Sequence, residues 1–260
     1  MKDPTQRFSN RVENYVKYRP GYPKEILQLF RDEMGLRPDS VVADIGSGTG
    51  ISTKLFLENG NKVFGVEPNA PMRSAAEEFL KGFPGFTSID GTATNTGLPD
   101  GSADIVTAFQ AFHWFDIAAA RAEFERILRP AGPGGPGICG GYAALIWNER
   151  QTDTNEFLWE YEKFLLNFAT DYLKVRHENT GEDELREFFG KDPLARIFQN
   201  EQILDLEGLK GRVLSSSYMP AAGDAGYESM TEELKALFTK HREQDRITIL
   251  YDTKVYYGHF

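Results

Sequence analysis

Between residues 41 and 150 the chain alternates short apolar runs with amphipathic ones, and this rhythm narrows its folds more than any other feature. "SVVADIG", "NKVFGVEP", "GFTSID", "SADIVTAFQAF" and "GYAALIWNE" read as strands; "ISTKLFLENG", "APMRSAAEEFLKGF" and "AAARAEFERILRP" read as helices between them. Strands separated by helices of that length form βαβ units, which build a parallel sheet. "SADIVTAFQAF" is nearly continuous in apolar residues, as suits a strand covered on both faces. The predicted fold is α/β, a Rossmann-like doubly wound sheet.

The rhythm breaks after residue 150. Residues 155–190 are helical in pattern and aromatic (Phe157, Trp159, Tyr161, Phe164, Phe168, Tyr172), with near-helical spacing that suits either core packing or a substrate cap. Residues 197–206 read as a strand, 228–242 as a helix, and "RITILYDTKVYYG" as an alternating strand. Ahead of the core, 8–22 read as a short helix ended by Pro20, and "PKEILQLFRDEMG" as a helix opened by proline and closed by Gly35. The expected organisation is an N-terminal helical lid segment (1–35), a cofactor-binding core (36–150), a helical cap insertion (151–196), and C-terminal strands and helix (197–260) completing the sheet.

"VVADIGSGTG" sets the chemistry. Glycine loops after a first strand commonly cradle phosphate, yet Asp44 sits at the mouth of this one, where phosphate would be repelled. The dinucleotide pattern G-x-G-x-x-G fails because Ile51 occupies its sixth position, and no G-K-[ST] follows for a Walker loop. Gly46, Gly48 and Gly50 let a ligand lie against bare backbone, and Asp44 prefers a cation. A ligand with adenosine and positive charge but no phosphate satisfies both, as S-adenosyl-L-methionine does. Glu67, ending the next strand, is placed to accept hydrogen bonds from ribose hydroxyls. Glu67 serves NAD equally well; Asp44 and Ile51 favour the sulfonium cofactor over the NAD-dependent oxidoreductase alternative.

"ADIGSGTG", "VEPN", "GTATNTGLPDGSADIV" and "AFQAFHWFD", in this order, together with Tyr18, Arg19, Pro20, Tyr22 and Pro23, resemble the class I S-adenosylmethionine-dependent methyltransferases, and within them the small-molecule group that includes trans-aconitate methyltransferases. The resemblance implies a seven-stranded sheet, mostly parallel with its last strand reversed. It implies Gly46, Ser47 and Gly48 beneath the methionine part, Asp44 supporting the ammonium and the loop, Glu67 on the ribose, and Pro68 and Met72 flanking the adenine. Thr92 and Ala93 take the adenine-edge position, where the family carries Gly-Asp-Ala; the threonine departs from that pattern. Phe109 and Gln110 would face the methionine and the methyl group.

Methyl transfer from a sulfonium is an in-line displacement that requires alignment and exclusion of water rather than a triad or metal. His113 is the candidate base, with fixing the loop or packing beneath Trp114 as its other reading. Tyr18, Arg19, Tyr22 and Trp114 are candidates for substrate and lid contacts; Arg19, and then Arg150 and Arg212, are candidate carboxylate clamps. The expected reaction is methylation of a small-molecule acceptor, at oxygen and in particular at a carboxylate ahead of nitrogen or carbon, with S-adenosyl-L-homocysteine as product. A cofactor-binding protein without catalysis is the other reading of these motifs.

A net charge of -10 over 260 residues argues against nucleic acid as a partner. No segment resembles a signal peptide or a membrane span, and the single cysteine, Cys139, fits a reducing cytoplasm.

Overall fold

In a computed structural model, residues 11–130, 140–170, 172 and 181–260 are described; Phe8, Cys139 and most of the Gly/Pro-rich stretch before it lie outside them. Their order is α1 (Val12–Tyr18), α2 (Glu25–Met34), β1 (Val41–Ile45), α3 (Ile51–Glu58), β2 (Lys62–Val66), α4 (Ala70–Leu80), β3 (Phe86–Ile89), β4 (Ile105–Phe109), α5 (Ile117–Ile127), β5 (Tyr142–Arg150), α6 (Glu156–Phe168), α7 (Glu182–Phe189), β6 (Leu194–Leu204), α8 (Leu206–Leu214), α9 (Tyr227–His241) and β7 (Ile247–Gly258).

The strands form one seven-stranded sheet in the order β3-β2-β1-β4-β5-β7-β6. β1 to β5 are parallel, and β7 runs antiparallel to both β5 and β6. The sheet is thus mostly parallel with its last strand reversed, as expected. Strand order turns back on itself between β1 and β4, and in open α/β sheets ligands bind in the crevice beyond the carboxyl ends of strands at such a switch point.

Every residue of β4 is buried, which explains its unbroken apolar sequence. One face of the sheet buries Ile45, Val106, Leu145 and Trp147 against Phe124 of α5 and Phe188 and Phe189 of α7. The other buries Val42, Ile105 and Ile146 against Ile26 and Phe30 of α2 and Phe56 of α3. A third cluster gathers Phe157, Tyr161 and Phe164 of α6, Leu209 and Val213 of α8, and Leu234 and Phe238 of α9 over Ile249 and Tyr251 of β7. The segment expected as one helical cap therefore serves two places. α6 joins α8 and α9, whereas α7 lies along α5, because Leu185, Phe188 and Phe189 form one apolar face that meets Phe124.

The N-terminal helix is shorter than its aromatic pattern predicts. It ends at Tyr18, and Arg19 is extended with ψ of 143°, since Pro20 disfavours helical backbone in the residue before it. α1 packs on α8, where the Tyr18 ring occupies the space beside Gly211; a Cβ added there would lie 2.1 Å from the ring. Arg11 pins its start, donating to the carbonyls of Leu214, Ser216 and Met219 at 2.9, 2.8 and 2.6 Å. Among the described residues no helix is long and apolar enough to cross a membrane.

Candidate active-site cleft

The β1–α3 loop forms the floor of a cleft at the switch point. Gly46, Gly48 and Gly50 have φ of 70°, 57° and 84°, a region that side chains with a Cβ rarely adopt. A Cβ at Gly46 would also lie 2.6 Å from that of Ala111. The loop amides are used within the protein. Gly46 and Ser47 donate to the Val66 carbonyl at 2.8 and 3.2 Å, Gly48 to Glu67 Oε2 at 2.9 Å, and Gly50 to the Ser47 carbonyl at 2.9 Å. A phosphate-binding nest needs such N–H groups free to point at the anion. Here they are turned inward.

Asp44 and Gly50 stand behind this floor. Asp44 is fully buried: Oδ2 accepts from Ser52 and Thr53 hydroxyls, each at 2.7 Å, and Oδ1 from Thr107 at 3.1 Å. Burial raises its pKa to about 6, against those three hydroxyl donors. Its carboxylate ties β1 to the first turn of α3 and to β4. Gly50 caps α3 and faces α4, where a Cβ would meet Leu80 at 2.6 Å.

The cleft has two connected ends. The first is lined by Glu67, Pro68, Met72, Thr92, Ala93 and Phe115, and shares Tyr15, Gly46, Gly48, Phe109, Gln110 and Trp114 with the second. Glu67 is held from both sides, Oε2 by the Gly48 N–H and Oε1 by the Asn69 N–H at 2.8 Å. Its pKa is raised by burial, against those two backbone donors. Asn69 caps α4 by accepting from the Met72 N–H, which seats Met72 on this wall. Thr92 accepts from the Asn95 N–H at 3.1 Å and contacts the Thr94 hydroxyl at 3.2 Å, so its side chain shapes a turn.

Cations dominate the second end. Arg19, Arg150 and Arg212 converge on it together with Ser47, His113, Trp114, Tyr172, Tyr218 and Tyr251. Arg150 pairs with Glu162 and donates to the Tyr172 hydroxyl at 3.0 Å. Arg212 donates to the Tyr251 hydroxyl at 3.4 Å and to Ser216 Oγ at 3.2 Å. Arg19 lies over the Tyr15 ring at 4.7 Å and donates to the Ser215 carbonyl at 3.2 Å. Neither Arg19 nor Arg212 has a carboxylate partner among the described residues, and two buried guanidinium nitrogens, Arg19 Nε and Arg150 Nη1, have no hydrogen-bond acceptor there. Burial, and then the charge of Arg212, pulls the Arg19 pKa below its usual value. Among the described residues, this end gathers three guanidinium groups around one carboxylate, that of Glu162.

Gln110 sits where the ends meet. It is a non-glycine residue with φ of 55°, held by its N–H on the Ile146 carbonyl and by Nε2 on the Asn148 carbonyl at 3.1 Å. Asn148 in turn donates to the Gly21 carbonyl at 2.9 Å, tying the segment after α1 to β5. Tyr22 packs edge-on against Phe109, with ring centroids 4.6 Å apart.

The structure thus brings Gly46, Ser47, Gly48, Glu67, Pro68, Met72, Thr92, Ala93, Phe109, Gln110, His113, Trp114, Arg19 and Tyr22 to one cleft. Tyr18 is not among them: its ring is taken up by α8, and Tyr15 faces the cleft instead. Tyr15, one helical turn before Arg19, is the residue that sequence reasoning missed; the four-residue spacing was the available signal. Asn148, Tyr218 and Tyr251 carried no such signal.

Residues 43–133 match a family described as a methyltransferase domain. An uncharacterized methyltransferase of Mycobacterium tuberculosis is 34% identical over 149 residues, covering 57% of this chain and 55% of that protein. One from Geobacillus kaustophilus is 35% identical over 134 residues, covering 49% of this chain and 59% of that protein. The chain thus spans little more than half the length of the curated relatives it matches. Among solved structures, a protein of Anaeromyxobacter dehalogenans named as a type II methyltransferase superposes with a TM-score of 0.66 at 22% identity, covering 93% of this chain and 98% of that one. A protein of Anabaena variabilis named as a methyltransferase from an antibiotic biosynthesis pathway does so with a TM-score of 0.61 at 22% identity and the same coverage. The domain match, the relatives and the fold agree: residues 43–133 carry a methyltransferase domain, in a chain that is similar to proteins named as methyltransferases and shares their fold.

Proposed function

We propose that this protein transfers a methyl group from S-adenosyl-L-methionine to an oxygen of a small anionic acceptor, in particular a carboxylate. The observation that carries the cofactor reading is the inward-turned glycine loop. Its amides are already donated to Val66, Glu67 and Ser47, which leaves bare backbone for an uncharged or cationic group and no nest for a pyrophosphate. The cradle at Gly46 is one that a Cβ would fill, and Glu67 stands at the end of β2 for ribose hydroxyls, so the residues fit S-adenosyl-L-methionine. Gly46, Ser47 and Gly48 would hold the methionine part, Pro68, Met72, Thr92 and Ala93 the adenine, and Phe109 and Gln110 the region of the methyl; Asp44 and Gly50 act from behind by fixing the loop.

When bound, that cofactor supplies an electrophilic methyl on a sulfonium. The chain supplies alignment and dryness, which for well-oriented reactants is worth roughly 7–11 kcal/mol. Arg19, Arg150 and Arg212 would hold and orient the acceptor anion at the second end, and Tyr15, Tyr22 and Trp114 would keep water out. A carboxylate is already ionised at neutral pH, so no residue need remove a proton. His113 lines this end and is proposed to position the acceptor. The acidic composition and single cysteine support a cytoplasmic small-molecule enzyme without a nucleic-acid partner.

The test is calorimetry of the protein with S-adenosyl-L-homocysteine beside NADH, followed by transfer of labelled methyl to a panel of mono-, di- and tricarboxylates and neutral alcohols. Binding of the homocysteine product alone, with label in the acids, is the expected result. Binding of NADH alone overturns the cofactor reading, and label in the neutral alcohols alone overturns the acceptor reading.

A further inference from the structure

Strand β6 is the outer edge of the sheet and is eleven residues long. Edge strands are normally protected by proline, lysine, a bulge, shortness or a covering segment. "LARIFQNEQIL" contains no proline and no lysine, and its pairing with β7 runs from Leu194↔Tyr257 to Leu204↔Ile247 without a bulge. Among the described residues, no backbone–backbone hydrogen bond reaches it other than those to β7; from the strand's own side chains, Asn200 Oδ1 accepts from the Glu201 N–H and Arg196 donates to the Ala195 carbonyl, each at 2.9 Å. The three most exposed large apolar side chains among the described residues all lie on it: Leu194 at 53%, Ile197 at 60% and Ile203 at 57%.

Two of them share a face. Side chains alternate along a strand, so Ile197, Gln199, Glu201 and Ile203 point to one side of the sheet, and all four are exposed. A two-fold axis perpendicular to a sheet preserves its faces, and so pairs antiparallel copies of one strand only in registers that put such same-side residues opposite each other. With the axis through Asn200, Ile197 lies opposite the partner's Ile203, and Ile203 opposite the partner's Ile197. Gln199 then meets the partner's Glu201, and on the other face Arg196 meets the partner's Leu204. No like charges are opposed. Moving the axis to Gln199 sets Ile197 against the partner's Glu201, and moving it to Glu201 opposes two carboxylates.

We infer that β6 pairs with β6 of a second copy of this chain, antiparallel about Asn200, joining two seven-stranded sheets into one continuous sheet. The occupant is a second copy because the strand is complementary to itself in this one register: paired isoleucines twice over, and each charge opposite a neutral residue. Cross-strand apolar pairs of this kind stabilise antiparallel pairing, and like charges oppose it.

Sedimentation equilibrium of the full chain, at roughly 50 µM where micromolar dimers are populated, tests this. The wild type is expected at about twice the 29.3 kDa of one chain. Ile197→Lys and Ile203→Glu, each on the exposed face and away from the cleft, are expected to sediment as single chains while keeping the wild-type circular dichroism and melting temperature. The double variant I197K/I203E is expected to return to the dimer, since the register then sets each new ammonium against a new carboxylate. A wild type of single-chain mass overturns the proposal, as do single variants that remain dimeric. A double variant that stays monomeric overturns the register.

Discussion

The two ends of the cleft are built by opposite strategies. The end proposed for adenosine and methionine is made, apart from Tyr15, from one stretch of chain, residues 46 to 116, and its floor is main chain: glycines in the left-handed region, amides directed at β2, and a carboxylate clamped by two N–H groups. The cationic end is made largely from long side chains around residues 15–22, 148–150, 172, 212–218 and 251, which meet over Ser47, His113 and Trp114. The first is rigid because its shape is a backbone shape. The second is a side-chain shape, set by where the guanidinium groups of Arg19, Arg150 and Arg212 are held.

If that contrast holds, substitutions at the two ends separate cleanly. The largest effect is expected from Gly46→Ala, which adds both an unfavourable positive φ and a 2.6 Å contact with Ala111. Strain and overpacking together cost about 3–4 kcal/mol, so S-adenosyl-L-homocysteine binding should weaken by at least a hundredfold in calorimetry, with a lowered melting temperature. At the other end, Arg19→Met should lower kcat/KM for the proposed anionic acceptor by roughly thirty- to a hundredfold. It should leave the homocysteine Kd within about twofold; a matching loss in Kd would dissolve the distinction between the ends.

Glu67→Ala removes the charge-assisted hydrogen bonds proposed for the ribose, and calorimetry should record an affinity loss of about tenfold to a few hundredfold. The smallest effect sharpens the comparison from beneath the floor. The folded pKa of Asp44, about 6, lies above its free value of 3.8, so folding takes up a proton between the two. Its stabilising contribution is complete below pH ~4 and is lost as the pH rises through 6. Between pH 5 and 6 the loss is about 1 kcal/mol. Asp44→Asn removes this component, so the stability of the wild type relative to the variant should fall by that amount over the interval in denaturant titrations; a constant difference would mean that Asp44 is charged throughout.

How much of this could be read from the chain follows the same division. β1 to β5 and the glycine loop were legible because each is a local pattern: an apolar run, a glycine spacing, an acid at a strand end. The exchange of Tyr18 for Tyr15 was not, because a seven-residue helix offers either tyrosine to the cleft until α8 takes one of them. α8 itself was missed, since Gly208 and Gly211 weaken its helical pattern; Gly211 is there to admit the Tyr18 ring. The aromatic run after β5 announced helices without saying that α7 would part from α6, a choice made by Phe124 on the far side of the sheet. The arginines were visible singly. Their convergence depends on β7 returning between β5 and β6, a long-range pairing that no local pattern encodes.

The inward-turned amides of the glycine loop bear on how such a chain can change over time. Exchanging one nucleotide cofactor for another is often imagined as a swap of the acid that meets the ribose. Here that acid is also the acceptor for the Gly48 N–H, and the neighbouring amides are committed to Val66, so a change of cofactor would require redrawing the main chain of the loop together with the end of β2. On the proposed reading, a lineage built on this loop is held to one cofactor by its main chain, while the side chains of the arginine end set which anion it accepts.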